Sequence, residues 1–199
     1  MAPSILYTPQ APVRWAHLIT AREQLDPSKP KAWTCELLLS QANPAHAAFI
    51  ASLDALFTDT HGSKKKRSDK GQPWKTDRED HTITVVKFKA QEFRRDDGTT
   101  AAGPKVLDAK KQTWDGSQIG NGSEVIMAFT TYGWERPEGT GLSLQPRAVQ
   151  VVRFVPRADL GESAADGFSE QEGGYTVTQA SGFDDEFDEF GAGAAAMPF

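Results

Sequence analysis

The chain has 199 residues, of which 38% are hydrophobic and 25% charged, with a formal net charge of −5. That suffices for one folded domain with an appendage, and no stretch is apolar for long enough to make a transmembrane helix. A single cysteine, Cys35, excludes an intrachain disulfide framework or a cysteine-based zinc site. The opening MAPSILYTPQAP lacks the charged and then apolar pattern of a secretion signal, so a reducing cytoplasm is the expected setting. The net charge conceals an asymmetry. All 22 Lys and Arg precede residue 158, together with 17 of the 27 acidic residues, while the last 42 residues hold the other ten acids and no Lys or Arg. A body of +5 therefore carries an arm of −10.

In chain order, residues 1–11 read as an N-terminal extension and Val13–Thr20 alternates as a strand, with Val13, Trp15, His17 and Ile19 on one face. After a turn at Pro27–Pro30, AWTCELLLS places Trp33, Cys35, Leu37 and Leu39 on the core side of a second strand. NPAHAAFIASLDALF changes period: Asn43 is an N-cap, Pro44 fits the first helical turn, and Phe49, Leu53, Leu56 and Phe57 recur at helical spacing. The helix ends near His61–Gly62. Ser63–Asp80 reads as a basic loop and HTITVVKFKAQEF as a long strand with Lys87 and Lys89 on one face. Asp97–Gly98 marks a turn, with a short strand about Lys105–Leu107 behind it. SEVIMAFTTYGW supplies a strand with Val125, Met127 and Phe129 inward, Pro137, Gly139 and Gly141 turn the chain, and RAVQVVRFVP closes the body at Pro156. The expected fold is mainly β: five or six antiparallel strands over 12–157 with one inserted helix, forming a small barrel or a compact sandwich. Residues 158–199 are rich in Gly, Ser, Ala and acids and cannot bury enough apolar area to offset ordering, so this tail is expected to be disordered.

Residue types that carry catalysis are missing in the right spacing. There is no phosphate-binding GxxxxGK[ST] loop, the four His stand apart, and Cys35 lies on an apolar strand face. No catalytic residues, metal site or cofactor are expected. What remains is a nucleic-acid pattern. Lys64, Lys65, Lys66, Arg67, Lys70 and Lys75 crowd around Trp74, Lys87 and Lys89 follow on the next strand, and Arg94, Arg95, Lys110 and Lys111 flank later turns. Such cations neutralise phosphates, and exposed aromatic rings give unpaired bases a surface to stack on. Trp15 and Trp33 sit on apolar faces and are assigned to the core. Trp74, Trp114, Tyr132 and Trp134, near turns and strand ends, are the stacking candidates.

IGNGSEVIMAFTTYGW…GTGLSLQPRAVQVVRFVP, from Ile119 to Pro156, resembles the C-terminal half of the OB fold in replicative single-stranded DNA-binding proteins of tailed bacteriophages. The order before it is similar too: two strands, a helix, a basic loop and a long strand. The closing MPF is similar to the Pro–Phe tip of bacterial single-stranded DNA-binding proteins. The resemblance implies a protein that coats and protects single-stranded DNA in the host cytoplasm, in replication, recombination and repair. It implies tail partners among replisome proteins such as polymerase and helicase–primase. In this sequence Asp184, Asp185, Glu186, Phe187, Asp188, Glu189 and Phe190 are separated from Phe199 by GAGAAAMP, whereas the family keeps its acids against the tip.

A tail of −10 can compete with DNA for a cationic groove, and Phe199 offers a partner an aromatic ring and an α-carboxylate together. Exchange of tails between two chains gives a route to a homodimer. Two other readings stay open at this point: an adaptor or virion-assembly factor whose basic loop binds an acidic protein, and a metal-dependent nuclease built on Asp77, Glu79 and Asp80.

Overall fold

Strands with one face packed inward build most of the body. The computed structural model describes residues 4–68, 72–137 and 139–157. In chain order the elements are β1 (Leu6–Tyr7), β2 (Ala11–Arg22), β3 (Ala32–Ser40), α1 (Pro44–His61), β4 (Trp74–Thr76), β5 (Ile83–Gln91), β6 (Lys105–Leu107), β7 (Glu124–Arg136) and β8 (Gly139–Arg153). Eight strands form one sheet in the order β4-β5-β3-β2-β7-β8-β6, with β1 paired to β7 within the N-terminal extension. Five long strands carry the OB-like arrangement and three short ones decorate it. Among the described residues the named strands pair antiparallel except β6 on β8, and an isolated parallel bridge joins Arg67 to Thr140.

The sheet curls without closing. β5 packs against β8 with no ladder between them, and the basic segment is stitched into that seam. Ser68 N–H donates to Thr140 O of β8 (2.9 Å), Thr140 Oγ1 donates to Lys66 O (2.9 Å), and Lys87 N–H of β5 reaches back to Pro73 O. Part of the expected loop is therefore ordered backbone, including β4. Val13, Leu37, Leu39, Val86, Phe88, Val125, Met127, Phe129, Leu142 and Leu144 fill the interior. α1 covers it from one side: Phe49 meets Phe129 edge-on at 6.0 Å between centroids, and Phe129 meets Phe88 at 5.2 Å. Asn43 caps α1 by accepting from Ala45 N–H (2.9 Å), and Gly62 at φ 81° ends it by donating its N–H to Thr58 O (2.7 Å).

Gly141, expected in the turn, instead lies inside β8. A Cβ there would come within 2.1 Å of the Trp134 ring, so the indole lies flat over a residue that must be small. β7 ends at Arg136 and β8 begins at Gly139.

The acidic cluster at residues 77–80 is spent on folding the chain. Asp77 accepts from Glu79 N–H (2.9 Å) and Asp80 N–H (3.4 Å), and its other oxygen meets Arg14 Nη2 at 2.7 Å. Asp80 accepts from the N–H and hydroxyl of Thr82. No group of three metal-ligating side chains occurs among the described residues. The N–H of Glu79, followed by Asp80 N–H and Arg14, holds the Asp77 carboxyl below its ordinary range against the opposing cost of desolvation. A depressed folded-state pKa contributes stability that is fully present above the unfolded value of about 3.9 and is lost as pH falls through the lower folded value. Acid melts of wild type should therefore lose stability below about pH 4. Asp77→Ala should lower Tm at pH 7 and flatten that acid limb.

Candidate nucleic-acid interface

β2 departs from simple alternation in a way that creates the site. Val13 pairs with Leu37 and Arg14 with Glu36, but the next partner of Thr34 is His17, so β2 carries one extra residue. A bulge of this kind turns consecutive side chains to the same face. Trp15 occupies it at φ 53°, in the left-handed region where a bulky residue is strained. Its ring is 60% exposed. Beyond the bulge Ala16 and Leu18 point inward and His17 turns outward, opposite Thr34. The core assignment of Trp15 is thus corrected: strict alternation from Val13 fails at the inserted residue. Trp33 is buried as expected, with Gly103 tight against its indole.

The GNGS segment holds the bulge in place. Trp15 N–H donates to Asn121 Oδ1 (2.9 Å), Gly122 N–H donates to Val13 O (2.9 Å), and Val13 N–H donates to Ser123 O (2.8 Å). Gly122 sits at φ 85°, and Gly120 lies so close to Pro156 that a Cβ would fall 2.4 Å from its carbonyl oxygen. Both glycines are there for backbone reasons.

Arg22, Lys87 and the carboxylate of Glu36 flank the indole. Glu36 pairs across the ladder with Lys87, and Thr34 with Lys89. A hollow of about 220 Å³ opens beside the ring, lined by Trp15, Arg22, Thr34, Cys35, Glu36 and Lys87. Arg22 Nη1 donates to His17 Nε2 (3.3 Å). Burial, then the charges of Arg22 and Arg157, push the His17 pKa down. Burial, then Lys87 and Lys29, push the Lys89 pKa down, while its ammonium donates to Gln24 Oε1. In both groups burial is the larger cause and the neighbouring positive charges add to it. Cys35 packs beneath, its thiol pushed up by desolvation and out of reach of nucleophilic chemistry.

The other expected site residues are spread over the body. Lys64, Lys65, Lys66 and Lys75 are exposed, Lys65 pairing with Glu135 at 3.2 Å. Arg67 packs over Phe57 (4.7 Å) and Trp74 (5.0 Å) and meets Asp54 at 2.6 Å, so it acts as a structural clamp. Trp74 is corrected from stacking candidate to core. It is 7% exposed, its Nε1–H donates to Asp54 Oδ1 (3.1 Å), and Arg67 covers its ring. Trp114 is half-buried, donating to Ser117 O (2.8 Å) and meeting Phe154 edge-on at 5.1 Å. Tyr132, 62% exposed, and Trp134, with Arg136 at 5.5 Å, share the outer face of the β7–β8 hairpin. Arg94 ties its own turn through Gly98 O, and Lys110 and Lys111 are exposed after β6. Of the expected cations among the described residues, Lys87 and Lys89 join the Trp15 face. Arg22, Lys29, Arg157 and Trp15 itself are additions. Lys70 and the whole tail cluster, Asp184 to Glu189 with Phe187, Phe190 and Phe199, lie outside the described residues.

The class of fold is the OB-like fold of bacteriophage single-stranded DNA-binding proteins, by likeness of structure. One such structure is gp2.5, a single-stranded DNA-binding protein encoded by bacteriophage T7, with a TM-score of 0.63 at 17% identity, covering 89% of this chain and 100% of that one. The single-stranded DNA-binding protein of bacteriophage Enc34 in complex with ssDNA matches with a TM-score of 0.60 at 12% identity, covering 77% and 89%. A further structure of the single-stranded DNA-binding protein from bacteriophage Enc34 matches with a TM-score of 0.57 at 14% identity, covering 80% and 89%. No protein-family model matches the sequence. No curated protein matches it either. No helix among the described residues is long and apolar enough to cross a membrane.

Proposed function

We propose that this chain is a non-enzymatic protein that binds and protects single-stranded DNA in phage replication and recombination. The observation that carries this reading is the exposed Trp15 ring, held in a strained bulge with Arg22 and Lys87 lining the hollow beside it. In OB folds, oligonucleotides bind on the face of the second and third long strands and on two flanking loops. The corresponding elements here are β3 and β5, the segment between β2 and β3 that carries Lys29, and the β7–β8 tip beside Trp134 and Arg136. Support also comes from the fold shared with gp2.5 and the Enc34 protein, the latter solved on ssDNA.

An electrophoretic competition between oligo-dT and duplex DNA of equal length tests the reading. The single strand should win, because only its bases are free to stack; equal binding, or none to either, contradicts it. The adaptor alternative requires the second outcome.

The acidic segment, Asp184 to Glu189, with the terminal Phe199 is proposed to engage replication proteins such as polymerase or helicase–primase and to compete with DNA for the cationic face. Deleting residues 181–199 should tighten DNA binding at low salt and abolish polymerase capture. Unchanged DNA affinity would remove the competition, and unchanged capture would remove the recruitment. A homodimer by tail exchange belongs to the same proposal.

A further inference from the structure

A carboxylate in the middle of a polyanion-binding face repels what the face attracts, so Glu36 calls for an account. It lines the hollow beside the Trp15 ring together with Thr34, Arg22 and Lys87. Its Oε2 accepts from Arg14 Nε (2.9 Å), but Arg14 already has a carboxylate partner in Asp77 at 2.7 Å. Neutralising Arg14 therefore does not require Glu36. Among the described residues, Glu36 Oε1 and the Thr34 hydroxyl have no hydrogen-bond partner, and Glu36 keeps 20% of its side chain exposed. The hollow thus offers an aromatic wall, a pure acceptor and a hydroxyl that donates or accepts, with cations at its rim.

That set complements the edge of a base. A carboxylate accepts from an exocyclic amino group, as in its pairing with cytosine N4, and the hydroxyl can donate to the neighbouring ring nitrogen. Cytosine and adenine present this amino donor beside a ring acceptor. Thymine in the same register presents a carbonyl oxygen where the amino group would be, which sets oxygen against carboxylate.

We propose that the hollow beside Trp15 is a nucleobase pocket in which Glu36 and Thr34 select cytosine and adenine over thymine. This inference rests on the single-stranded DNA reading above. The test is the ratio of affinities for oligo-dC and oligo-dT of one length at one salt concentration, in the full chain. Both are pyrimidine runs, so backbone flexibility and stacking differ least between them. Wild type should favour oligo-dC by about five-fold or more, the lower end of the discrimination a well-made base contact provides.

Glu36→Gln should bring the ratio towards one, since the amide donates to a thymine carbonyl as readily as it accepts from an amino group. Losing a negative charge tightens both homopolymers alike, so the ratio is blind to a purely electrostatic role. Thr34→Ala leaves the Arg14 pair untouched and should move the ratio the same way, which guards against a folding defect in the first variant. A wild-type ratio of one or less, or a ratio unchanged in both variants, overturns the pocket alone. Failure to bind either homopolymer overturns the single-stranded DNA reading, and the pocket with it.

Discussion

Trp15→Ala is expected to weaken binding of single-stranded DNA by about 1–3 kcal/mol, the range measured for base–aromatic stacking, which corresponds to a loss of roughly 5- to 150-fold. The same substitution should cost the fold little. The ring is 60% exposed, so few packing contacts are lost. Trp15→Gly sharpens the distinction, because glycine adopts φ 53° without strain. Tm should be unchanged or raised in Trp15→Gly, while affinity falls as far as in the alanine variant. A protein that becomes more stable as it loses its ligand has been storing strain at a working site. A fall in Tm comparable to that of a core substitution would instead assign Trp15 to packing.

Removing Arg22, Lys87 and Lys89 together, each replaced by Gln, is expected to act on the salt dependence. Each phosphate contact on a single strand contributes about 0.7 to the slope of log affinity against log salt. Loss of three contacts should reduce that slope by roughly 2, with the largest loss of affinity at low salt. Arg67→Gln should behave differently. Arg67 is engaged by Asp54, Phe57 and Trp74, so its loss should lower Tm and leave the salt slope nearly unchanged. A titration of affinity from low to high salt on both variants separates a phosphate contact from a structural clamp.

Much of the frame was legible from periodicity and end signals. β3 announced its buried face through Trp33, Cys35, Leu37 and Leu39, and α1 through its Asn43–Pro44 start and Gly62 stop. Lys87 and Lys89 on β5 were readable because a strand of period two shows which residues share a face. What escaped the reading depends on contacts distant in sequence. Trp74 is buried by Asp54 on the helix and by Arg67 across the loop, and local pattern carries no trace of either. β6 was expected at Lys105–Leu107, but not its parallel pairing with β8, and β1 and β4 are too brief to show a period.

The bulge at Trp15 is the instructive miss, because its support comes from Asn121, more than a hundred residues away. One clue was present. Simple alternation set polar His17 on the same face as Val13 and sent apolar Ala16 and Leu18 outward, and a single inserted residue resolves both conflicts. The GNGS segment that carried the family resemblance turns out to be the structure that holds this bulge. Sequence similarity and site geometry therefore meet in one turn.

Single-stranded DNA is proposed to lie on the β2–β3–β5 face with a base against Trp15. Intrinsic tryptophan emission during titration with oligo-dT, compared between wild type and Trp15→Phe, tests it most directly. Phenylalanine keeps a stacking ring but removes the reporter, leaving Trp33 and Trp74 buried and Trp114 and Trp134 half-buried. Wild type should be quenched strongly, and Trp15→Phe should lose most of that quenching while binding persists by an independent assay. Quenching of equal depth in both proteins would place the DNA elsewhere on the body and contradict the account.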